Sequence, residues 1–175
     1  MRAGLLLVIP AIAWGQTPTH LPGPVTPVAY RGFVLAAPYA DFTIRARALV
    51  APNAAPLVCN TSRRTAQLME CGQWIRDPSD SAGFYLAAYV LEGRVAFLSF
   101  GDSGGAPLVA RVQRDLTTRF GQPRATRGSM WEWRSGREVV RLTWRGRGAA
   151  RWFYIALWDE ELMDRIARYV PRRPR

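Results

Sequence analysis

The sequence contains no lysine, although 24 of its 175 residues are basic, and every basic residue is arginine. This absence excludes Schiff-base chemistry, a Walker-type phosphate loop and a Ser/Lys dyad, because each of them requires a primary amine. Two explanations for the arginine bias remain open: a coding bias that affects a whole proteome, or selection of arginine for anion recognition. The even spread of the charge along the chain favours the coding bias.

Histidine and cysteine are also scarce. The one histidine, His20, lies in proline-rich sequence near the N-terminus, and the chain has two cysteines. We therefore expect neither a histidine general base nor a histidine metal site in the folded body, and two cysteines without histidine do not make a structural zinc site. The sequence predicts no metal, no cofactor and no catalytic residue.

Residues 1–15 have the organisation of a secretory signal peptide. A short basic start precedes an apolar run from Ala3 to Trp14, and the small residue Gly15 precedes Gln16. This run is shorter than the ~20 apolar residues that a membrane-spanning helix needs. We therefore expect cleavage near Gly15, no transmembrane segment in the mature chain, and an exported protein that is periplasmic or extracellular.

An oxidising compartment accounts for the two cysteines. Cys59 and Cys71 are 12 residues apart, which is not the C-x-x-C spacing of redox-active pairs. We expect a structural disulfide between them, and in a chain-entropy model a bridge that closes so short a loop contributes about 3 kcal/mol.

The mature chain is expected to form a single domain. Residues 16–35 are rich in proline and predict an extended N-terminal segment. Residues 36–170 contain the strand and helix patterns of one α+β domain, and residues 171–175 form a basic tail.

Several strands are predicted from short-range patterns. Two strand pairs flank the turns Glu92-Gly93 and Ser135-Gly136, and a further strand covers residues 151–158. Period-two alternation predicts another strand over residues 42–48, and residues 65–76 also have an extended pattern.

Two amphipathic helices follow these strand groups. The first is predicted over residues 107–120 and ends at Gly121, and the second begins at Asp159 and ends before Pro171. Each helix has one apolar stripe to bury, so we expect an antiparallel sheet with both helices on one face. Because both halves contain strands followed by a helix, a duplicated strand-strand-helix unit is a further hypothesis.

The segment Gly101-Asp102-Ser103-Gly104-Gly105 resembles the nucleophile motif of chymotrypsin-like serine proteases. The resemblance covers five residues of 175 and implies a serine nucleophile at Ser103. That family also needs a catalytic histidine well upstream inside its first barrel, whereas His20 lies close to the expected cleavage site. We therefore predict a turn between a strand and a helix, with Asp102 or Ser103 near the helix cap, and not an enzyme.

The candidate binding residues are Trp131, Trp133, Arg141 and Trp152, from a stretch in which arginine and tryptophan alternate. Alternation directs Phe153 to one side of its strand and Trp152 to the other, where it is expected to join the remaining three residues on an outer face. Such a face can stack sugars, bases or a partner's side chains. The structural alternative is a set of cross-strand Arg–Trp pairs that only shield the sheet from water.

We expect an exported, non-enzymatic binding protein of the cell envelope, with a protein or an anionic envelope polymer as its partner. A binder of nucleic acid or another polyanion is the first alternative, and strong salt dependence distinguishes it. A hydrolase that uses Ser103 is the second alternative, which the absence of a histidine or lysine base makes less favourable.

Overall fold

The computed structural model describes residues 27–50, 55–76, 83–148 and 151–169. The predicted signal peptide, the first part of the proline-rich segment and the basic tail lie outside these residues. The elements follow one another in this order: β1 (Ala29–Tyr30), β2 (Phe33–Val34), α1 (Tyr39–Leu49), β3 (Val58–Thr61), β4 (Leu68–Arg76), β5 (Gly83–Leu91), β6 (Arg94–Ser103), α2 (Ala106–Phe120), β7 (Ala125–Arg127), β8 (Met130–Ser135), β9 (Glu138–Arg145), β10 (Trp152–Asp159) and α3 (Glu160–Tyr169).

Eight strands form one sheet in the order β3-β4-β5-β6-β10-β9-β8-β7, and each neighbouring pair is antiparallel. β1 and β2 pair separately as a short hairpin. With the three helices of the described residues, the fold is α+β and the sheet is antiparallel, as the sequence predicts. The pairing of β6 with β10 joins the two strand groups at the centre of the sheet.

The hairpin between β5 and β6 forms where the sequence predicts it. Its turn residues, Glu92 and Gly93, have φ angles of 51° and 75°. Both angles lie in the left-handed region, as a two-residue type I′ turn requires. The pairing shifts by one residue between Tyr89 and Val90, and beyond this irregularity Tyr85 of β5 faces Gly101 of β6.

The predicted disulfide is present. Cys59 of β3 and Cys71 of β4 are direct cross-strand partners, and their Sγ atoms are bonded at 2.07 Å. The bridge attaches the edge strand β3 covalently to the rest of the sheet.

The strand predicted over residues 42–48 is wrong, because this segment belongs to helix α1. The buried residues of α1 are Phe42, Ala46 and Leu49, whose spacings of four and three place them on one face of a helix. Ile44, which a strand would bury with Phe42, is 67% exposed. Periodicity over so short a segment does not distinguish the two structures, and packing against the sheet decides between them.

The chain joins the core before the end of the predicted N-terminal segment. Four apolar side chains in this part of the chain are buried: Val28, Tyr30, Phe33 and Leu35. The ring of Phe33 lies 5.8 Å from that of Phe42 and 5.7 Å from that of Phe100, measured between centroids. The β1–β2 hairpin is therefore packed against the sheet and is not an extended lead.

The inner face of the sheet is the side covered by α1, α2 and the β1–β2 hairpin. Alternate strand residues, such as Phe84 and Leu86 of β5, point into this core. α2 contributes Val109, Val112 and Leu116, which belong to the apolar stripe predicted from the sequence.

α3 packs on the opposite side, which we call the outer face. It forms a separate cluster with Leu91 and Ala96, whereas Val90 belongs to the inner core. Because Val90 and Leu91 are successive residues of one strand, the two clusters lie on opposite faces. α2 and α3 therefore do not share one face, contrary to the sequence prediction. The predicted cap of α3 is present, since the Leu162 backbone N–H donates to Asp159 Oδ1 at 3.0 Å.

The connections before the two helices account for this difference. Gly104 and Gly105 separate β6 from α2, whereas α3 begins at the residue after β10. The extra residues allow the chain to turn over the end of the sheet onto the inner face. α3 has no such connecting residues and crosses one end of the outer face. No helix of the described residues covers the rest of that face.

Candidate ligand-binding face

Four large aromatic side chains are exposed on the outer face. They are Trp74 of β4, Tyr85 of β5, and Trp152 and Tyr154 of β10, with exposed fractions of 55%, 41%, 43% and 42%. Alternation along each strand directs them away from the inner core. The residues beside them in sequence are buried in that core: Ile75, Phe84, Phe153 and Ile155. We call these four exposed rings the aromatic face.

The register of the sheet aligns three of these rings across the strands. Trp74 is the direct partner of Tyr85, Tyr85 of Gly101, and Gly101 of Tyr154. The rings of Trp74 and Tyr85 meet edge to face, with centroids 5.6 Å apart and planes at 68°. Trp152 lies two residues from Tyr154, toward the end of the sheet that α3 does not cover. The aromatic face therefore extends over four adjacent strands.

Two glycines allow the tyrosines to lie close to the sheet. A Cβ atom at Gly101 would be 3.1 Å from Tyr154 Cε1, which is closer than an ordinary contact. A Cβ atom at Gly72 would overlap the hydroxyl of Tyr85. A larger residue at either position would displace the tyrosine ring, so these glycines help to set the shape of the aromatic face.

Two exposed arginines border the aromatic face. Arg145 is the direct cross-strand partner of Trp152, and Arg76 lies two residues beyond Trp74 on β4. Neither arginine forms an ion pair with a carboxylate of the described residues. The outer face thus combines exposed rings with positive charge that the described residues do not neutralise.

The structure separates the four residues that the sequence places on one face. Trp152 belongs to the aromatic face, and Arg141 is also on the outer side. Trp133 is only 1% exposed, and Trp131 packs partly buried against the inner core. The prediction that Trp131 and Trp133 lie on the outer face is therefore wrong. Glu132, which lies between them in the sequence, is the cross-strand partner of Arg141 on the outer side. That register directs Trp131 and Trp133 to the inner face.

Arg141 is held by its neighbours. Its Nε and Nη2 atoms donate to Glu132 Oε2 at 3.0 and 2.7 Å, and its guanidinium lies 4.8 Å from the centroid of the Trp158 ring. Burial acts to raise the pKa of Glu132, but hydrogen bonds from Arg141 and Arg134 outweigh that effect and lower it. Glu132 therefore remains ionised, and Arg141 stabilises the sheet as one half of an ion pair.

The Gly101–Gly105 segment forms the predicted turn but not the predicted cap. β6 continues to Ser103, and the N-cap residue of α2 is Gly105, with no side-chain hydrogen bond. Asp102 is 2% exposed; its Oδ1 accepts the Ser103 backbone N–H at 2.7 Å, and its Oδ2 pairs with Arg31 at 3.3 Å. The buried Asp102 carboxylate therefore anchors the C-terminal end of β6. The neighbouring Ser103 side chain is exposed to solvent.

Glu138 is a partly buried carboxyl on the inner side of the sheet. Burial raises the pKa of Glu138, and the nearby carboxylate of Asp159 raises it further. A hydrogen bond with the Val28 backbone and the charge of Arg137 lower it, but the net effect is a raised pKa. Its Oε2 atom has no hydrogen-bond partner among the described residues. A cleft of about 730 Å³ beside the β8–β9 turn borders this residue. Glu138 thus belongs to a different part of the molecule from the aromatic face.

Sequence reasoning did not identify Trp74 and Tyr85. The segment from Phe84 to Leu91 is almost continuously apolar, so its sequence does not distinguish an exposed side of the strand from a buried one. The missing information was the order of strands. Only the arrangement β4-β5-β6-β10 places these residues beside Tyr154.

No family model, curated protein or solved structure matches the chain. Within the described residues, no helix is long and apolar enough to cross a bilayer, and no group of histidine, cysteine or carboxylate side chains is placed to hold a metal ion. The interpretation of the aromatic face therefore depends on its own chemistry.

Proposed function

We propose that this chain is an exported, non-enzymatic binding protein of the cell envelope or periplasm, with the aromatic face as its binding surface. The observation that carries the proposal is the exposure of Trp74, Tyr85, Trp152 and Tyr154 together on a part of the sheet that no helix of the described residues covers. The solvent side of an antiparallel sheet ordinarily carries polar residues. Large exposed apolar groups that share one face are typical of an interaction site.

The proposed binding residues differ from those predicted from the sequence. Trp152 remains in the site. Tyr154, on the same side of β10, joins it, together with Trp74 and Tyr85, which the sequence analysis did not single out. Trp131 and Trp133 leave the site because they pack on the inner face. Arg141 has a supporting role, because its charge is already paired with Glu132.

Export is proposed from the sequence of residues 1–15, which lie outside the described residues. The Cys59–Cys71 disulfide supports this location, since disulfides form and persist in oxidising compartments. The bridge is structural in this proposal and takes no part in binding.

A binder of nucleic acid or another polyanion is the alternative function. The formal net charge of +11 and the exposed arginines Arg76 and Arg145 favour it. A polyanion binder loses affinity steeply as salt rises, because each contacted phosphate releases counterions. Weak salt dependence would favour binding that is dominated by the rings.

A hydrolase that uses Ser103 has little support. A serine hydroxyl needs a general base to become a nucleophile. The described residues contain no histidine, and the chain contains no lysine. Asp102 does not fill this role, because its carboxylate is bound to Arg31 and to the Ser103 backbone.

Capture from an envelope extract tests the proposed function. The immobilised mature chain is compared with the double variant Trp74→Ala/Trp152→Ala and with the control Ile44→Ala, which removes an exposed apolar residue from α1. We expect the wild type and the control to retain the same component and the double variant to lose it. Protease treatment of the extract identifies the component as protein or polymer, and capture that survives the double substitution contradicts the proposal.

We also propose that the two strand groups descend from a duplicated unit. The sheet order is symmetric about the β6–β10 pair, in which Leu98 faces Leu157 and Phe100 faces Ile155. The buried carboxylates Asp102 and Asp159 follow these residues at equivalent positions. Alignments of related chains should match the two halves best at the offset of 159 − 102 = 57 residues, and a better match at another offset would contradict the duplication.

A further inference from the structure

Three of the four rings of the aromatic face form a row that runs across the strands. Trp74, Tyr85 and Tyr154 are on β4, β5 and β10, so the row covers three strand spacings, roughly 14 Å. α3 crosses the same face near the other end of the strands, where it packs on Leu91 and Ala96. An extended ligand that contacts all three rings must therefore lie across the strands, alongside α3.

The charge along this row is sparse. Two exposed arginines on the outer side lie near the rings. Arg145 is the cross-strand neighbour of Trp152, and Arg76 is two residues from Trp74 on the same strand. Arg141, the next arginine toward α3 on β9, is neutralised by Glu132. The face can therefore attract a ligand of low negative charge density, and it has few cations for a ligand that carries a charge on every unit.

Hydroxyl groups lie between and beside the rings. Ser103 is the direct partner of Trp152, Thr143 is the direct partner of Tyr154, and Ser99 is two residues from Gly101 on the same side of β6. The tyrosines add their own phenol groups. Hydroxyls that donate and accept hydrogen bonds, set among flat apolar rings, suit a ligand whose units have one flat apolar side and a rim of hydroxyls.

Resting on the proposed function, we infer that the aromatic face binds an acidic polysaccharide whose chain lies across the strands. The flat C–H side of each sugar ring stacks on the aromatic rings, and the sugar hydroxyls bond to the serine, threonine and tyrosine hydroxyls. Carboxylates on some of the sugars approach Arg145 and Arg76. Binding is non-covalent, and no bond of the polymer is broken.

The same observations count against two other occupants. A nucleic acid carries one phosphate per nucleotide, and its affinity depends on neutralising many of them. A protein partner is usually anchored by side chains that fill recessed pockets. The aromatic face offers two exposed arginines and a row of rings projecting from a continuous sheet, which matches neither requirement.

Binding of defined polymers to the full mature chain tests the inference. Polygalacturonate and alginate are the acidic probes, dextran is the neutral probe, and oligo(dT) is the nucleic-acid probe. Affinity electrophoresis and calorimetry give the dissociation constants. We expect an acidic polysaccharide to bind at least about tenfold more tightly than dextran or oligo(dT), and its affinity to fall by no more than about tenfold between about 50 and about 200 mM salt.

Matched variants locate the binding surface. Trp74→Ala and Trp152→Ala should each weaken binding of the acidic probe by about tenfold or more, since each removes one stacking ring. Arg145→Ala should weaken it by a few-fold. The controls are Ile44→Ala and Arg111→Ala, which remove an exposed apolar and an exposed basic residue from α1 and α2. Both controls should bind as the wild type does.

Each contrary outcome overturns a specific claim. Equal binding of dextran overturns the acidic ligand, and tighter binding of oligo(dT) overturns the polysaccharide. Affinity that falls with Arg111→Ala as much as with Trp152→Ala indicates binding by overall charge and overturns the site. If neither acidic probe binds but envelope capture still requires Trp74 and Trp152, the inference fails while the proposed function stands. If envelope capture also does not depend on Trp74 and Trp152, the proposed function fails.

Discussion

Trp133 donates a hydrogen bond from its indole Nε1 to the carbonyl oxygen of Gly121, over 2.9 Å. Gly121 ends α2 with a φ of 77°, so the bond ties the C-terminus of this helix to strand β8. The indole is also among the largest fully buried side chains. This contact holds the indole, which the β8–β9 register directs inward, in the core and away from the exposed surface.

Trp133→Ala should lower the free energy of unfolding by roughly 3–5 kcal/mol, because it opens a large cavity and leaves the Gly121 carbonyl without this donor. Trp152→Ala removes an exposed ring and should change it by no more than about 1 kcal/mol. Urea denaturation monitored by circular dichroism measures both values. Equal effects of the two substitutions would contradict the assignment of the two tryptophans to opposite faces.

Ser103→Ala should change the free energy of unfolding by no more than about 1 kcal/mol, since the side chain is exposed and does not cap α2. Asp102→Ala should lower the free energy of unfolding by more than Ser103→Ala does, because it removes a buried carboxylate that pairs with Arg31 and accepts the Ser103 backbone N–H. Labelling of the folded wild-type protein with a fluorophosphonate probe tests separately whether Ser103 is nucleophilic. Modification at Ser103 would show that the serine is nucleophilic and that the non-enzymatic interpretation is wrong.

The strand groups and two of the helices were predictable because their signals are local. The turn at Glu92-Gly93 and the stop of α2 at Gly121 depend on residues within a few positions of each other. The side of the sheet that each element faces is not local. Trp133 lies inward because β8 pairs with β9 in one particular register, and α1 is a helix because Phe42 and Ala46 pack together against the sheet.

The candidate site was predictable only in part, for the same reason. Trp152 was identified because strict alternation with Phe153 and Ile155 separates the two sides of one strand. Trp74 and Tyr85 share one row with Tyr154 only through the order of four strands, which joins residues from both halves of the chain. No pattern within a single segment contains that order.

Two glutamates should respond to pH in opposite directions. The pKa of Glu132 is lowered in the folded protein, so its stabilising contribution is present above its ordinary pKa of 4.5 and is lost as the pH falls through the folded value. The pKa of Glu138 is raised, so ionisation of this group opposes folding as the pH rises through its folded value. Glu132→Gln should therefore be less stable than the wild type at neutral pH, and Glu138→Gln should be more stable.

Denaturation curves for the wild type and both variants, recorded from neutral pH to below pH 4.5, test this expectation. Both differences from the wild type should shrink on acidification, because a protonated glutamate resembles glutamine in charge. A difference for Glu132→Gln that grows as the pH falls would contradict the ion-pair account of Glu132 and Arg141.

The exported protein should begin near Gln16 and carry the Cys59–Cys71 bridge. Intact-mass spectrometry should show the truncated chain with two hydrogens fewer than its dithiol form. Reduction should lower the free energy of unfolding by about 3 kcal/mol, because the bridge closes a short loop and attaches β3 to β4. Free thiols in the exported material, or an intact residue 1–15 segment, would contradict the expected processing.

Oxidative footprinting of the mature chain, with and without the component that it captures from the envelope, tests the binding surface most directly. If the aromatic face is that surface, oxidation of Trp74, Tyr85, Trp152 and Tyr154 should fall sharply in the complex, while the exposed Ile44 on α1 should react at the same rate in both samples. Unchanged oxidation of the four rings, with protection at α1 or α2 instead, would show that the partner binds elsewhere and that the account of the aromatic face is wrong.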